Sequence, residues 1–338
     1  MVSGHFIGNE GGEPFAWTAL SQVQQRTAES SGMDCLRSAY RAQELKLLGD
    51  PSDQERQDLR MKHNVVIATH HKTGTVWMDG VFKAIAAELG VAYIDFKAQY
   101  EQLSEVLKPP FILINTDSDF RGYESLLERE DVRILHLIRD PRDVVISAMH
   151  YHKKSNERWL HEPVPGYDDV TYQRRLKDLP NEHQQYIYEM EHSSGGTVLD
   201  MLRWRYDRPN CFEARYEELR QDAELHYWRR ITAFLAFDAA EQEVCNARFW
   251  RNSLFGGLSR FGNRHVRSGD IGQWKREFTV PLAYAFLGRF PGGLQTLGYE
   301  TDHNWILELQ HAPPPRRRWL AGAALRPLRE FSRAFSIF

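Results

Sequence analysis

One stretch decides the fold: Val65-Val66-Ile67-Ala68-Thr69-His70-His71-Lys72-Thr73-Gly74-Thr75-Val76-Trp77. Its apolar first part predicts a buried strand, and the glycine-containing loop then opens a helix that we expect from Trp77 to about Leu89. A helix N-terminus carries unpaired N–H groups and a partial positive charge, so it binds anions. Gly74 lets the backbone approach a phosphate, while Lys72 and Thr75 add an ammonium and a hydroxyl. The stretch therefore predicts a phosphate site at the end of a strand.

The order of residues in this loop argues against a nucleoside triphosphatase or a kinase. The P-loop of those enzymes reads G-x-x-x-x-G-K-[ST], with the lysine after the second glycine and the hydroxyl on magnesium. Here Lys72 precedes the only glycine of the loop, Gly74. The pattern favours a phosphate-bearing ligand that is handled without a metal.

A second strand–turn–helix segment follows at residues 132–147. Residues 132–138 are apolar enough for a strand, and Asp140 and Pro141 suit the cap and first turn of a helix. Arg139 then lies at the strand end and Ser147 about two turns into the helix, a pair suited to a second phosphate. A third loop, residues 267–279, is basic and contains glycine.

These segments resemble the sulfotransferases that use 3′-phosphoadenosine-5′-phosphosulfate (PAPS). The family's first loop reads P-K-S-G-T-T-W, close to residues 71–77, and its R-[ND]-P-[KR]-D-V-x-x-S motif matches residues 139–147. The C-terminal R-K-G-x-x-G-D-W-K-x-x-F-T motif is echoed at residues 267–279, with weaker echoes at 215–219 and 255–259. Five motifs in the family's order, over roughly residues 62–300, carry the resemblance.

The resemblance implies a role for each matched residue. Lys72 would contact the transferring sulfuryl group and the bridging oxygen, and Tyr216 would reach the nucleotide. Trp77 and Phe255 would sandwich the adenine, and Val76 stands where the family usually has a threonine, so backbone N–H groups must replace one hydroxyl. The 5′-phosphate would be held by Thr73, Gly74 and Thr75, and the 3′-phosphate by Arg139, Ser147, Arg267, Ser268 and Gly269.

The acceptor base is where the chain departs from the family. Cytosolic members carry a histidine in a K-T-H segment, whereas this chain has Asn115-Thr116-Asp117 at the corresponding distance before Arg139. Asp117 is therefore the expected base, as a carboxylate can accept the proton. The alternatives on neighbouring strand ends are Asp95, His150, His152, His70 and His71.

Composition agrees with one α/β domain that contains a central parallel sheet flanked by helices. The chain has 338 residues, 42% of them hydrophobic, which is enough for a full core. Strands are expected at 64–69, 111–115, 132–138 and 210–214, alternating with helices, which predicts ligand binding at their carboxyl ends. We expect an N-terminal lead with helices over 1–60, a sulfotransferase domain over 61–311 and a basic amphipathic tail over 312–338.

Net charge and cysteine content limit which partners and which cellular compartment we expect. A net charge of −3 gives no reason to expect nucleic acid, and three cysteines without a membrane span or signal peptide predict a cytoplasmic protein. The tail suggests contact with a membrane surface or a partner. Lys275, Thr279 and Val280 partly fit the family's dimerisation pattern, which suggests a homodimer.

The sequence thus predicts an enzyme that moves the sulfuryl group of PAPS to a hydroxyl of a small-molecule or carbohydrate acceptor and releases 3′-phosphoadenosine-5′-phosphate (PAP). The aromatic-rich segment 150–206 is the expected acceptor region. Since the usual histidine is absent, a second hypothesis is a PAPS- or PAP-binding protein with little catalytic activity.

Overall fold

The computed structural model describes residues 61–163, 169–258 and 269–310. The predicted segments 1–60 and 312–338 therefore lie outside the described residues, as do Arg267 and Ser268. Within the described part, a single five-stranded sheet has the strand order β2-β3-β1-β4-β5, and all of its neighbouring pairs are parallel. This confirms the predicted fold class. The strands are β1 Asn64–Thr69, β2 Ala92–Asp95, β3 Phe111–Asn115, β4 Val132–Ile138 and β5 Cys211–Arg215.

Helices connect the strands and cover both faces of the sheet. Short 3₁₀ helices lie at Tyr100–Gln102, Glu124–Glu128 and Arg158–His161. The α-helices are α1 Thr75–Leu89, α2 Leu103–Val106, α3 Pro141–His152, α4 Tyr172–Asp178, α5 Glu182–His192, α6 Ser194–Arg203, α7 Tyr216–Gln221, α8 His226–Phe234, α9 Ala239–Arg251, α10 Trp274–Glu277, α11 Val280–Arg289, α12 Gly293–Thr296 and α13 Trp305–Gln310.

The central strand β1 explains why the sheet is covered on both sides. All six of its residues are buried, as expected for a parallel strand with helices on each face. Val65 and Ile67 pack in one apolar cluster with α1, α8 and α9, and Val66 and Ala68 pack in another on the opposite face. The alternation of side chains along one strand therefore builds two cores.

Three of the predicted strands have the expected bounds, and β5 is shifted by one residue. The sequence did not predict β2, a four-residue strand at the edge of the sheet in which only Ile94 is buried. An edge strand this short has little apolar pattern, so hydrophobic periodicity gives a weak signal.

The sheet brings the ends of β1, β3 and β4 together. Ala68 pairs with Asn115 and Thr69 with Leu137, so the three following loops leave the sheet side by side. The Ser118 hydroxyl also donates to the Thr69 carbonyl at 2.8 Å. The phosphate loop, the Asp117 loop and the Arg139 turn consequently share one edge. Among the described helices, none has the length and apolarity needed to cross a membrane.

Candidate active site

The loop between β1 and α1 is stabilised by hydrogen bonds from its own hydroxyl groups to its backbone. Thr73 Oγ1 donates to the His70 carbonyl at 2.8 Å and accepts from the His70 N–H at 3.0 Å. Thr75 Oγ1 donates to the same carbonyl at 2.9 Å and lies 2.9 Å from Thr69 Oγ1. Thr73 is fully buried in this arrangement, so its side chain stabilises the loop from the protein interior.

Gly74 is required at the start of α1 for two reasons. Its φ of 116° lies in the region that side-chain-bearing residues avoid, and a Cβ there would lie 3.1 Å from Tyr216 Cδ2 and 3.2 Å from Leu137 Cδ2. Gly74 is also the N-cap and supplies no side-chain hydrogen bond. The 15-residue helix α1 therefore begins at a backbone conformation that only glycine suits. The N–H groups of its first turn follow directly, and such a helix start fits an anion site.

Lys72 precedes this glycine and takes a left-handed backbone conformation, with φ 68°. Its Nζ lies 3.5 Å from the centroid of the Tyr151 ring, a cation–π contact across to α3. The contact holds the ammonium on the side of the loop that faces α3.

Arg139 joins the phosphate loop to the segment before α10 and to the start of α7. Its guanidinium donates to the carbonyls of Lys72 at 3.2 Å and Asp270 at 3.0 Å, and it lies over the Tyr216 ring at 4.4 Å. Arg139 is 5% exposed, and its Nε is buried without a hydrogen-bond partner among the described residues. A buried donor in that state fits an anionic ligand.

The Asp143 carboxyl lies 3.8 Å from the Arg139 guanidinium and accepts the Trp274 N–H at 3.0 Å. Burial raises the pKa of Asp143 to about 6, although Arg139 opposes the rise. The helix start itself is as predicted, since Asp140 accepts the Arg142 N–H and Pro141 occupies the first turn. This start aims α3 so that Ser147 reaches the same edge of the sheet.

These elements surround one cleft of about 1040 Å³. Among the described residues, five cationic side chains line it, against two carboxylates, those of Asp117 and Glu157. The predicted site residues that line the cleft are Lys72, Gly74, Thr75, Val76, Trp77, Asp117, Arg139, Ser147, Tyr216 and Gly269. Thr73 and Phe255 do not line it, and the predictions for Arg267 and Ser268 lie outside the described residues.

The two expected adenine platforms differ in their surroundings. Trp77 lines the cleft and stacks on Phe249, with ring centroids 5.2 Å apart. The Phe255 ring packs against Phe249 and Trp250 at 6.1 Å and 5.6 Å, and its neighbours Leu254 and Leu258 line the cleft instead. The adenine sandwich stays a prediction.

The candidate bases occupy distinct places. Asp117 lines the cleft and forms an ion pair with Lys97. Asp95 accepts the N–H groups of Lys97 and Ala98 and is not part of the lining. His150 lines the cleft, with its Nε2 3.6 Å from the Glu277 carboxylate.

Four further histidines, among them the candidates His70, His71 and His152, form two pairs, and all of them except the half-buried His71 are buried. The rings of His70 and His136 meet through their Nε2 atoms at 2.8 Å, and those of His71 and His152 meet through theirs at 3.1 Å. Burial, reinforced by His136, lowers the pKa of His70 well below its usual value. Burial, helped by His152 and Lys72, lowers the pKa of His71 to about 3. Of these four rings, only that of His71 reaches the cleft.

Sequence reasoning missed several lining residues. Arg220 lies one turn after Tyr216 on α7, and both side chains donate to the Gly269 carbonyl, at 3.0 Å and 3.3 Å. The i, i+4 spacing from the tyrosine was the available signal. Lys97 follows the unpredicted strand β2, and Lys154 lies just beyond α3.

The cleft therefore combines the starts of two helices that follow strands, Lys72 in the first of the two loops, and more cationic than anionic side chains among its described lining residues. A sequence model of the sulfotransferase domain matches residues 62–290. The chain belongs to the sulfotransferase family, whose members transfer a sulfuryl group.

Individual relatives are distant. The chain is 23% identical over 278 residues to an amine sulfotransferase of Oryctolagus cuniculus, which covers 72% of this chain and 83% of the relative. It is 22% identical over 289 residues to sulfotransferase 6B1 of Danio rerio, covering 77% and 90%. A solved structure of mouse sulfotransferase SULT7A1 complexed with PAP has a TM-score of 0.46 and 18% identity, covering 77% of this chain and 94% of that one.

Proposed function

We propose that this chain transfers the sulfuryl group of PAPS to a hydroxyl of a small-molecule or carbohydrate acceptor and releases PAP. The observation that carries the proposal is the convergence of Lys72, Arg139 and Ser147 on one cleft lined by five cations. PAPS bears phosphates at two ends of one nucleoside, and two separate anion sites on one cleft match that chemistry.

Each residue then has a task in the in-line reaction. The acceptor oxygen attacks sulfur while the bond from sulfur to the 5′-phosphate oxygen breaks, so negative charge builds on the leaving phosphate. Lys72 and the first N–H groups of α1 are suited to stabilise that charge. Arg139 and Ser147 would hold the 3′-phosphate equally in the ground and transition states, and so would contribute to binding.

The part of the cleft around Tyr151 is suited to the acceptor. Tyr151, Ser155 and Glu157 come from the end of α3 and the segment after it, and all three line the cleft. The Tyr151 hydroxyl donates to the Glu157 carboxylate at 2.7 Å, which leaves a mixed aromatic and polar surface beside Lys72. Such a surface suits an acceptor that carries both a ring and a hydroxyl.

The test is the preference for a 3′-phosphate. Calorimetry should show that wild-type protein binds PAP more tightly than AMP, which lacks the 3′-phosphate. Ser147→Ala should reduce the affinity for PAP by about 1.5–3 kcal/mol, the worth of a hydrogen bond to a charged group, and leave the affinity for AMP unchanged. Ser104→Ala, on the exposed face of α2, is the matched control. Equal affinity of the wild type for PAP and AMP would contradict the proposal.

A binding protein with little catalysis is the second candidate, and one observation favours it. Asp117, which stands where the family has its histidine, is engaged by Lys97 and so is less available to a substrate. Transfer of radiolabelled sulfate from PAPS to a panel of phenols, alcohols, amines and sugars separates the two functions. PAP binding without transfer to any acceptor would favour the binding protein.

We also infer a reducing compartment such as the cytoplasm. Among the described cysteines, Cys211 and Cys245 are both free, which fits a compartment in which thiols stay reduced.

The homodimer hypothesis depends on the partial match of Lys275, Thr279 and Val280 to the family's dimerisation pattern. Lys275 pairs with Glu308 at 3.2 Å. Tyr284, which stands where the pattern has an acidic residue, is 61% exposed. The mass of the protein in solution tests that hypothesis.

A further inference from the structure

A chain of three side chains runs from the core of the protein into the cleft. The Glu189 carboxylate is fully buried and lies 3.0 Å and 3.1 Å, through its two oxygens, from His152 Nδ1. His152 is also fully buried, and its Nε2 lies 3.1 Å from Nε2 of His71. His71 precedes Lys72 in the phosphate loop, and both residues line the cleft.

When both imidazoles are neutral, hydrogen bonding sets the direction of the protons along these three side chains. The Glu189 oxygens accept the Ser194 N–H at 3.1 Å and the Tyr172 hydroxyl at 2.9 Å, so the carboxylate acts as an acceptor throughout. His152 must therefore donate from Nδ1, which leaves its Nε2 as an acceptor. His71 must then donate from its own Nε2.

The remaining nitrogen of His71 carries the lone pair. Among the described residues, Nδ1 of His71 has no hydrogen-bond partner, and the ring is stacked on His152 with centroids 5.1 Å apart and planes 10° apart. The Tyr151 ring contacts His71 edge-on at 5.8 Å. The ring is thus held from two sides, in the tautomer that a proton acceptor needs.

We propose that His71 is the base that removes the acceptor proton, and that His152 and Glu189 position it and set its tautomer. The proposal rests on the sulfotransferase function proposed above. It differs from the sequence prediction, which assigned the role to Asp117.

The charges around His71 explain how it works. Burial disfavours the imidazolium of His71 most, and the ammonium groups of Lys72 on its own loop and Lys97 after β2 add to this effect, while the nearest carboxylate in the hydrogen-bonded chain is Glu189. The pKa of about 3 keeps His71 unprotonated at neutral pH. A bound polyanion adds negative charge and neutralises Lys72, so it raises the pKa of His71 and strengthens the base.

The proposed step couples proton transfer from the acceptor to displacement at sulfur. The acceptor O–H bond breaks and its proton passes to His71 Nδ1, while the oxygen lone pair forms the new bond to sulfur. The bond between sulfur and the bridging oxygen breaks, and PAP leaves with its electron pair. The imidazolium donates from Nε2 to His152, which Glu189 holds in place, and later releases its proton to water.

Two features make His71 a better candidate than the other cleft groups. Asp117 is already paired with the Lys97 ammonium. This ammonium stabilises the carboxylate and competes with the acceptor proton for its oxygens. His150 contacts Glu277 and Tyr186 rather than a second buried histidine. Among the described groups that line the cleft, His71 is the one that His152 connects to a buried carboxylate, and it precedes Lys72 in the loop.

The first test needs no acceptor. Long-range ¹H–¹⁵N correlation spectra of the labelled protein report the tautomer of each histidine, and His71→Ala assigns the signal. We expect His71 to be protonated at Nε2 and unprotonated at Nδ1, and saturation with PAP to raise its pKa. A proton on Nδ1 of His71, or a pKa that PAP leaves unchanged, would overturn the proposal.

The second test uses turnover with an acceptor that the wild type sulfates. His71→Ala should lose roughly 10²–10⁴-fold in turnover, keep its PAP affinity and regain activity when imidazole is added. His226→Ala, whose side chain is 76% exposed outside the cleft, is the matched control. His152→Gln should lower turnover and shift the pH profile without loss of PAP affinity.

The outcomes separate this proposal from the one on which it rests. Failure of the wild type to bind PAP would overturn both, and calorimetry shows this before any variant is made. Normal PAP binding and transfer, with full turnover in His71→Ala, would overturn only the base assignment. If Asp117→Asn is then inactive, Asp117 is the base. If no test acceptor is sulfated, the tautomer and the PAP-dependent pKa of His71 decide.

Discussion

Replacing Arg139 should destabilise the fold as well as weaken nucleotide binding. Arg139→Gln removes donors to the carbonyls of Lys72 and Asp270 and leaves the fully buried Asp143 carboxyl without its cation. Removing one partner of a buried ion pair typically costs about 3–5 kcal/mol, and the lost hydrogen bonds are part of that figure. We therefore expect the free energy of unfolding to fall by about 3–5 kcal/mol near pH 8.

The pH dependence identifies the cause. The pKa of Asp143 is raised from 3.8 to about 6 in the folded chain, so this group removes about 3 kcal/mol of stability as pH rises from 4 to 6. Without Arg139 the pKa rises further, so this loss continues above pH 6. Arg139→Gln should consequently cost less at pH 5, where Asp143 is mostly protonated, than at pH 8.

Urea denaturation at pH 5 and pH 8 measures the free energy of unfolding that Arg139→Gln loses. Arg158→Gln on the surface is the control, since that side chain is 92% exposed. Adding Asp143→Asn to Arg139→Gln should restore part of the stability at pH 8, because the unpaired charge is then gone. A loss below about 0.5 kcal/mol, the ordinary range of surface changes, or an equal loss at both pH values would refute the reasoning.

Further predictions concern the phosphate loop. Lys72→Ala should lower turnover by about 10²–10³-fold with little change in PAP affinity, because the lysine acts on charge that appears in the transition state. Lys108→Ala is the control, since that side chain is exposed, and it should have no effect. Normal turnover in Lys72→Ala would remove the lysine from the mechanism. Gly74→Ala should cost about 1–3 kcal/mol in strain and lower PAP affinity, because its Cβ would lie 3.1 Å from the Tyr216 ring. Gly90→Ala, left-handed at the other end of α1 but in open space, should be destabilised with PAP affinity intact, and equal PAP affinity in both glycine variants would contradict the role of Gly74.

The elements that carry the motifs were predictable because their signals are local. Strands β1, β3 and β4 are continuous apolar runs, and the cap at Asp140 with Pro141 after it marks the start of α3 without reference to the rest of the chain. The parallel order followed from the alternation of strands and helices. Once the strands were known, the meeting of Lys72 and Arg139 at one edge followed as well.

The support around the site was not predictable, since it depends on residues far apart in sequence. His71, His152 and Glu189 come from a loop and two different helices, and no local pattern links them. Lys97 was missed together with β2, the strand it follows. Phe255 matches a motif in sequence, but its ring packs on Phe249 and Trp250, which only the tertiary structure reveals.

The central claim is that the cleft holds PAP between the start of α1 and the start of α3. A crystal structure of the PAP complex tests it most directly. We expect the 5′-phosphate within hydrogen-bond distance of the N–H groups of Gly74 and Thr75, the 3′-phosphate beside Arg139 and Ser147, and electron density for any co-purified acceptor next to Lys72. A nucleotide bound elsewhere, or one whose 3′-phosphate points away from Arg139, would contradict the account.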